Sequence, residues 1–91
     1  MDEITLNGLE IQSIEEVHDL FARALDLPEW YGRNLDALFD CLTDAHEPVT
    51  VRLLHRDTLR ESLGRRGSAL IRLLRRAAEE NHHVTLVEEA Q

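Results

Sequence analysis

The stretch Leu27-Pro28-Glu29-Trp30-Tyr31-Gly32-Arg33-Asn34-Leu35-Asp36-Ala37-Leu38-Phe39-Asp40-Cys41-Leu42-Thr43-Asp44 holds three of the four Trp, Tyr and Phe side chains of this 91-residue chain; Phe21 is the other. Pro28 and Gly32 mark a loop, Asn34 is a good N-cap, and helical periodicity runs to Thr43, so the stretch reads as an aromatic loop feeding a short helix, Asn34–Thr43. At about 100° per residue with Asp36 at zero, Thr43 falls near roughly 340°, Asp40 near 40° and Asp44 near 80°, while Leu38, Leu42 and Leu35 gather between about 200° and 260°. The helix therefore has an acidic face and an aliphatic one. Phe39, at roughly 300°, lies on the seam, where a large apolar group is half exposed beside carboxylates. The like charges at Asp36/Asp40 and Asp40/Asp44 destabilise the helix by about 0.2–0.5 kcal/mol per pair. Asp36 recovers part of this at the positive helix N-terminus, whereas Asp44 sits at the wrong end of the dipole. On spacing alone such a ridge is more often a solvated face. The aromatics beside it favour a contact surface.

Working outward, Ile4-Thr5-Leu6 is a short strand closed by the turn dipeptide Asn7-Gly8. Ser13 and Glu16 form a capping box, and Ile14, Val17, Leu20, Phe21, Ala24 and Leu25 follow with helical spacing. Pro48 precedes Val49–Leu54, a strand apolar enough for burial on both faces. Asp57–Leu63 is a short helix stopped by Gly64, and Ser68 caps a longer one with Leu70, Ile71, Leu74, Ala77 and Ala78 as its apolar stripe. Val84–Val87 is the last strand, and Glu88–Gln91 a polar tail. The order β-α-α-β-α-α-β predicts an α/β fold: a small single domain over residues 1–91, with a three-stranded parallel sheet, right-handed connections and four helices packed against it.

Charge narrows the partner. The formal net charge is −8, which disfavours nucleic acid and favours a basic protein. Residues 1–48 hold twelve acids against Arg23 and Arg33, whereas residues 49–91 hold six acids against eight arginines. The acidic potential thus belongs to the half with the aromatic loop. All ten cations are Arg, which reads as coding bias. Cys41 is the only cysteine, so no intramolecular disulfide forms; at roughly 140° on the wheel it reads as an inert buried thiol. With no secretory signal and no apolar run of about 20 residues, the expectation is a cytoplasmic monomer without membrane contact.

Three other chemistries are weaker. An Asp36/Asp40 acid–base dyad has no nucleophile or metal motif beside it. His82 and His83, adjacent in or beside a strand, are expected on opposite faces, so no metal site is predicted. The run Arg56, Arg60, Arg65, Arg66, Arg72, Arg75 and Arg76 reads as a solvated face with local ion pairs, not an RNA-binding one. No catalytic residue and no cofactor is expected.

The run Leu27–Thr43 resembles the signature of the barstar family, intracellular inhibitors of small secreted bacterial ribonucleases, and the agreement extends from Asn7-Gly8 through Val84-Thr85. The resemblance implies a one-to-one complex in which the loop and second helix plug the active site of a basic, guanyl-specific ribonuclease. It places Asp40 where an RNA phosphate would lie among cationic catalytic groups, and Asp36 against neighbouring basic residues. Trp30, Asn34, Leu35, Phe39 and Thr43 complete the implied contact surface, with Asp44 and Arg76 added to it. The chain also departs from the family pattern: Arg33 and Arg76 replace acids, Ala45 replaces a tryptophan, Asp44 a glycine and His82 a second cysteine. These departures point to an enzyme other than barnase; a different basic toxin is the alternative partner.

Overall fold

Alternation along three strands decides which side of the sheet is buried. A computed structural model describes residues 2–89. Strands β1 (Asp2–Asn7), β2 (Val49–Leu54) and β3 (Val84–Glu88) form one parallel sheet in the order β1-β2-β3. The register sets Ile4 opposite Val51, Leu6 opposite Leu53 and Val49 opposite Val84, so these six side chains share one face and all are buried. The other face carries Thr5, Thr50 and Thr85, with Arg52 paired across strands to Glu3 at 3.2 Å. Burial of β2 on both faces is therefore corrected: Val49, Val51 and Leu53 are buried, while Thr50, Arg52 and Leu54 are half covered.

Helices α1 (Ile14–Ala24), α2 (Leu35–Thr43), α3 (Arg56–Leu63) and α4 (Arg65–Glu80) complete the predicted order. Val17 and Phe21 from α1, Leu38 and Leu42 from α2, Leu59 from α3, and Leu70 and Leu74 from α4 join the inward strand residues in one core. At the start of α1, Ser13 Oγ accepts from Glu16 N at 3.3 Å. The Glu16 carboxylate reaches back to Gln12 N, at 3.4 Å, in place of Ser13 N. Only half of the capping box forms.

The helix predicted to start at Ser68 begins instead at Arg65. Gly64, with φ +63°, ends α3 and opens α4 in one residue, so Ser68 lies inside the helix and caps nothing. Glycine takes this left-handed conformation without steric cost. Glu88, expected in a polar tail, belongs to β3. Its carboxylate accepts from Arg75 Nε at 2.9 Å and a second Arg75 nitrogen at 2.7 Å, and from Arg56 at 3.3 Å. The Arg75 hydrogen bonds hold the Glu88 carboxyl below the usual carboxylate range, with Arg56 adding to them against the effect of burial. Among the described residues no helix is long and apolar enough to cross a membrane.

Gly8 turns the chain out of β1 directly against α3. A Cβ there would lie 2.3 Å from the His55 carbonyl oxygen and 2.7 Å from Leu59 N, both backbone atoms. Gly8→Ala is therefore expected to destabilise the fold by about 1–3 kcal/mol, read as a lowered thermal midpoint. A wild-type midpoint would show that β1 and α3 separate freely.

Candidate functional site

The loop before α2 is fastened to α1 through two residues on either side of Gly32, Tyr31 and Arg33. Tyr31 turns inward, and its hydroxyl shares a 2.7 Å hydrogen bond with His18 Nδ1. The two rings meet edge-on at 5.7 Å. Arg33, in the left-handed region at φ +52°, sends its guanidinium back to Asp19 Oδ1 at 2.7 Å and to the Glu15 carbonyl at 3.2 Å. A non-glycine residue at such a φ is strained by about 1–2 kcal/mol, so it persists where its surroundings hold it. Arg33 and Arg76, which the resemblance sets where acids are expected, both have partners within the chain: Arg33 has Asp19, and Arg76 pairs with Glu80 at 3.3 Å.

These ties separate the three aromatics read as one surface. Trp30 is 85% exposed, Tyr31 is buried in the core, and Phe39 is half-buried with the Arg76 guanidinium carbon 5.0 Å above its ring centroid. Asp36, Asp40 and Asp44 run exposed along α2, while Leu38 and Leu42 are buried and Leu35 is half-buried. The acidic and aliphatic faces fall where the helix wheel puts them. Two recesses flank the ridge. On the loop side, Pro28, Trp30, Gly32, Ala37, Asp40 and Asp44 line a cleft of about 260 Å³; on the other, Asp36 and Phe39 border a groove toward α4.

Both ends of α2 are held by asparagines. Asn34 Oδ1 accepts from Ala37 N at 2.8 Å, and its Nδ2 donates to the Gly32 carbonyl at 3.3 Å. At the far end Asn81, only 7% exposed, directs Nδ2 at the carbonyls of Leu42, Ala45 and Thr43, at 2.9, 3.0 and 3.3 Å. Its Oδ1 accepts from His83 N at 3.0 Å. Thr43 donates its hydroxyl to the Phe39 carbonyl at 2.9 Å, within its own helix. Sequence reading missed both His18 and Asn81. Asn81 does close α4, a position at which asparagine is ordinary, and nothing local marks the second helix it serves.

Two further expectations change. Cys41 is half-buried, not buried; burial, then Asp40 and Asp44, raise its thiol above the ordinary range, so it stays protonated. His82 and His83 are not on opposite faces: their rings lie 4.2 Å apart. Both precede β3 in a turn, where strand alternation does not apply. Among the described residues no three His, Cys, Asp or Glu side chains group to hold a metal ion.

Comparison with known proteins gives a consistent picture. Residues 1–89 match the family model described as barstar (barnase inhibitor). The chain is also 37% identical over 81 residues to YrdF of Bacillus subtilis (strain 168), provisionally named a ribonuclease inhibitor, spanning 88% of this chain and 89% of that protein.

The buried pair makes stability depend on pH. Burial, reinforced by Arg33 and opposed by Glu15 and Asp19, holds His18 below its ordinary 6.5. The unfolded chain then takes up the proton first, so the stability His18 contributes is complete above pH 6.5 and is lost as the pH falls through its depressed value. Wild type should lose stability to urea more steeply than His18→Gln on acidification below pH 6.5; equal slopes would show that His18 ionises as freely folded as unfolded. Burial, then Cys41, pushes Tyr31 up to about 12 against the opposing pull of Arg33, so its share of stability is lost as the pH rises through that value. Separately, Asn81→Ala strips three carbonyls of their donor and is expected to cost about 1–3 kcal/mol. Hydrogen exchange should then quicken in the last turn of α2; unaltered exchange there would show that the turn holds itself.

Proposed function

This chain belongs to the barstar family, and we propose that its loop and α2 bind and block the active site of a small basic ribonuclease of the secreted, guanyl-specific type. The observation that carries this reading is the exposed row Asp36, Asp40 and Asp44 on a helix capped at both ends, beside an 85% exposed Trp30. A ribonuclease binds a polyanion, so its cleft is positive. Carboxylates fixed on a helix imitate the phosphates without offering a bond to cut.

In this reading Asp40 takes the place of an RNA phosphate among the enzyme's cationic groups, and Asp36 pairs with basic residues at its border. Trp30 and Phe39 are the apolar anchors, the side-chain type that dominates interface energy. Leu35, Thr43, Asp44 and Arg76 complete the contact. Asn34 and Thr43 spend hydrogen bonds on their own backbone, so they contribute shape and loop geometry more than new polar contacts. Opposite net charges raise the rate of encounter, which matters when the enzyme must be silenced before it cuts RNA. The whole chain, residues 1–91, acts as a single inhibitor domain in a one-to-one complex in the cytoplasm and performs no catalysis.

Inhibition of a panel of small bacterial guanyl-specific ribonucleases at moderate salt tests this, with Asp40→Ala beside wild type and both folds checked by circular dichroism. Wild type is expected to inhibit one enzyme tightly, and Asp40→Ala to be weaker by about 10- to 10⁵-fold, the range spanned by close charge pairs in the barnase–barstar complex. Full inhibition by the variant would overturn the phosphate-mimic mechanism. Failure of wild type across the panel would transfer the fold to a different basic partner.

A further inference from the structure

The side of the acidic ridge away from Trp30 has the opposite charge. There α2 and α4 enclose a shallow groove of about 320 Å³, floored by Leu35, Phe39 and Leu73 and bordered by Asp36 on one helix and by Arg72 and Arg76 on the other. Arg72 and Arg76 are exposed, one helical turn apart on α4. Neither pairs with Asp36; among the described residues Arg72 has no ion-pair partner, and Arg76 has a single contact of 3.3 Å to Glu80 one turn along its own helix. The Arg76 guanidinium carbon lies over the Phe39 ring, 5.0 Å from its centroid, so the ring shields one side of the group from water. Apart from the Arg76 Nη2 contact to Glu80, the N–H donors of the pair are left for a ligand at the open side of the groove.

We propose that Arg72 and Arg76 receive a carboxylate of the partner ribonuclease, on the rim of its active-site cleft, while the ridge engages the cationic centre; this rests on the inhibitor reading given above. Three features of the groove favour a protein carboxylate. A planar guanidinium placed over an aromatic ring is suited to a bidentate carboxylate. The apolar floor accepts the aliphatic stem of an Asp or Glu side chain. The bordering Asp36 and the ridge beyond it repel a nucleic acid, whose neighbouring phosphates would have to cross them. The recognition surface is then dipolar, acid beside base, and it fits a basic cleft with an acidic rim. An enzyme with a basic residue at that rim meets two like charges, so the flank also discriminates by repulsion.

A reciprocal charge swap tests the flank. Wild type, Arg72→Gln/Arg76→Gln, Arg72→Glu/Arg76→Glu and Asp40→Ala are assayed against a panel of small basic secreted ribonucleases, barnase included, with each fold checked by circular dichroism and thermal melting. In the enzyme that wild type inhibits best, rim carboxylates are then replaced singly by arginine. Inhibition of that enzyme is expected to weaken about tenfold for the Gln pair and about 100-fold for the Glu pair. One carboxylate-to-arginine enzyme should resist wild type and regain inhibition by the Glu pair, a rescue that a merely structural role for these arginines would not produce. If the Glu pair inhibits as tightly as wild type while Asp40→Ala does not, the flank is idle and the inhibitor reading stands. A uniform loss across the panel with no rescue also overturns the flank. If wild type inhibits no enzyme in the panel, the ribonuclease reading falls and takes the flank's partner with it.

Discussion

Two side-chain amides, those of Asn34 and Asn81, close the ends of α2, and everything displayed on that helix depends on them. A helix of nine residues is marginal in water by itself. This one also bears two like-charge pairs, together worth roughly 0.4–1 kcal/mol against it. Burial of Leu38 and Leu42 outweighs that repulsion, since each fully buried leucine contributes about 1.5–3 kcal/mol. Burial alone, however, does not stop the ends from fraying. The Asn34 carboxamide supplies an acceptor to an N–H in the first turn, and the Asn81 carboxamide supplies donors to the carbonyls at and after the last. Its positive end also lies where the helix dipole is negative and where Asp44 adds a further negative charge.

The loop ahead of α2 is fixed on the same plan, with long-range ties standing in for local propensity. Tyr31 and Arg33 both reach back to α1. Arg33 occupies a strained backbone region, and its bond to Asp19 supplies a reason for the strain to persist. Trp30 is then held outward by the anchoring of its neighbours. A loop held this way would lose little conformational freedom on binding as proposed, and pre-organisation of that kind raises affinity without adding a contact.

Features governed by near neighbours were legible in the sequence. The Ser13 and Asn34 caps, the two-faced wheel of α2 and the turn at Asn7-Gly8 depend on residues within a few positions, and the element order followed from them. What escaped depends on distance. The His18 and Tyr31 partners are thirteen residues apart, and Asn81 and the carbonyls it holds are 36 to 39 apart. Neither pairing has a periodicity to betray it. The start of α4 was misplaced because Ser68 carries a familiar capping chemistry, whereas Gly64 does the work through a backbone angle alone. The apolar content of β2 implied two covered faces, yet Thr50 and Arg52 alternate with its buried residues and keep one side polar. Of the candidate site, the acidic ridge could be read in advance. The inward turn of Tyr31 and the placement of Arg76 over Phe39 could not.

The reach of Asn81 back to α2 also has a temporal side. A ribosome makes the chain from its N-terminus, so the acidic helix emerges nearly forty residues before the amide that finishes it. The central strand β2 likewise waits for β3 to give it a second neighbour. Contacts between segments so far apart close late, because the intervening chain must be ordered first. A nascent copy therefore exposes its carboxylates on an unfinished helix, and the surface proposed for binding is completed only with the last strand and not gradually along the chain.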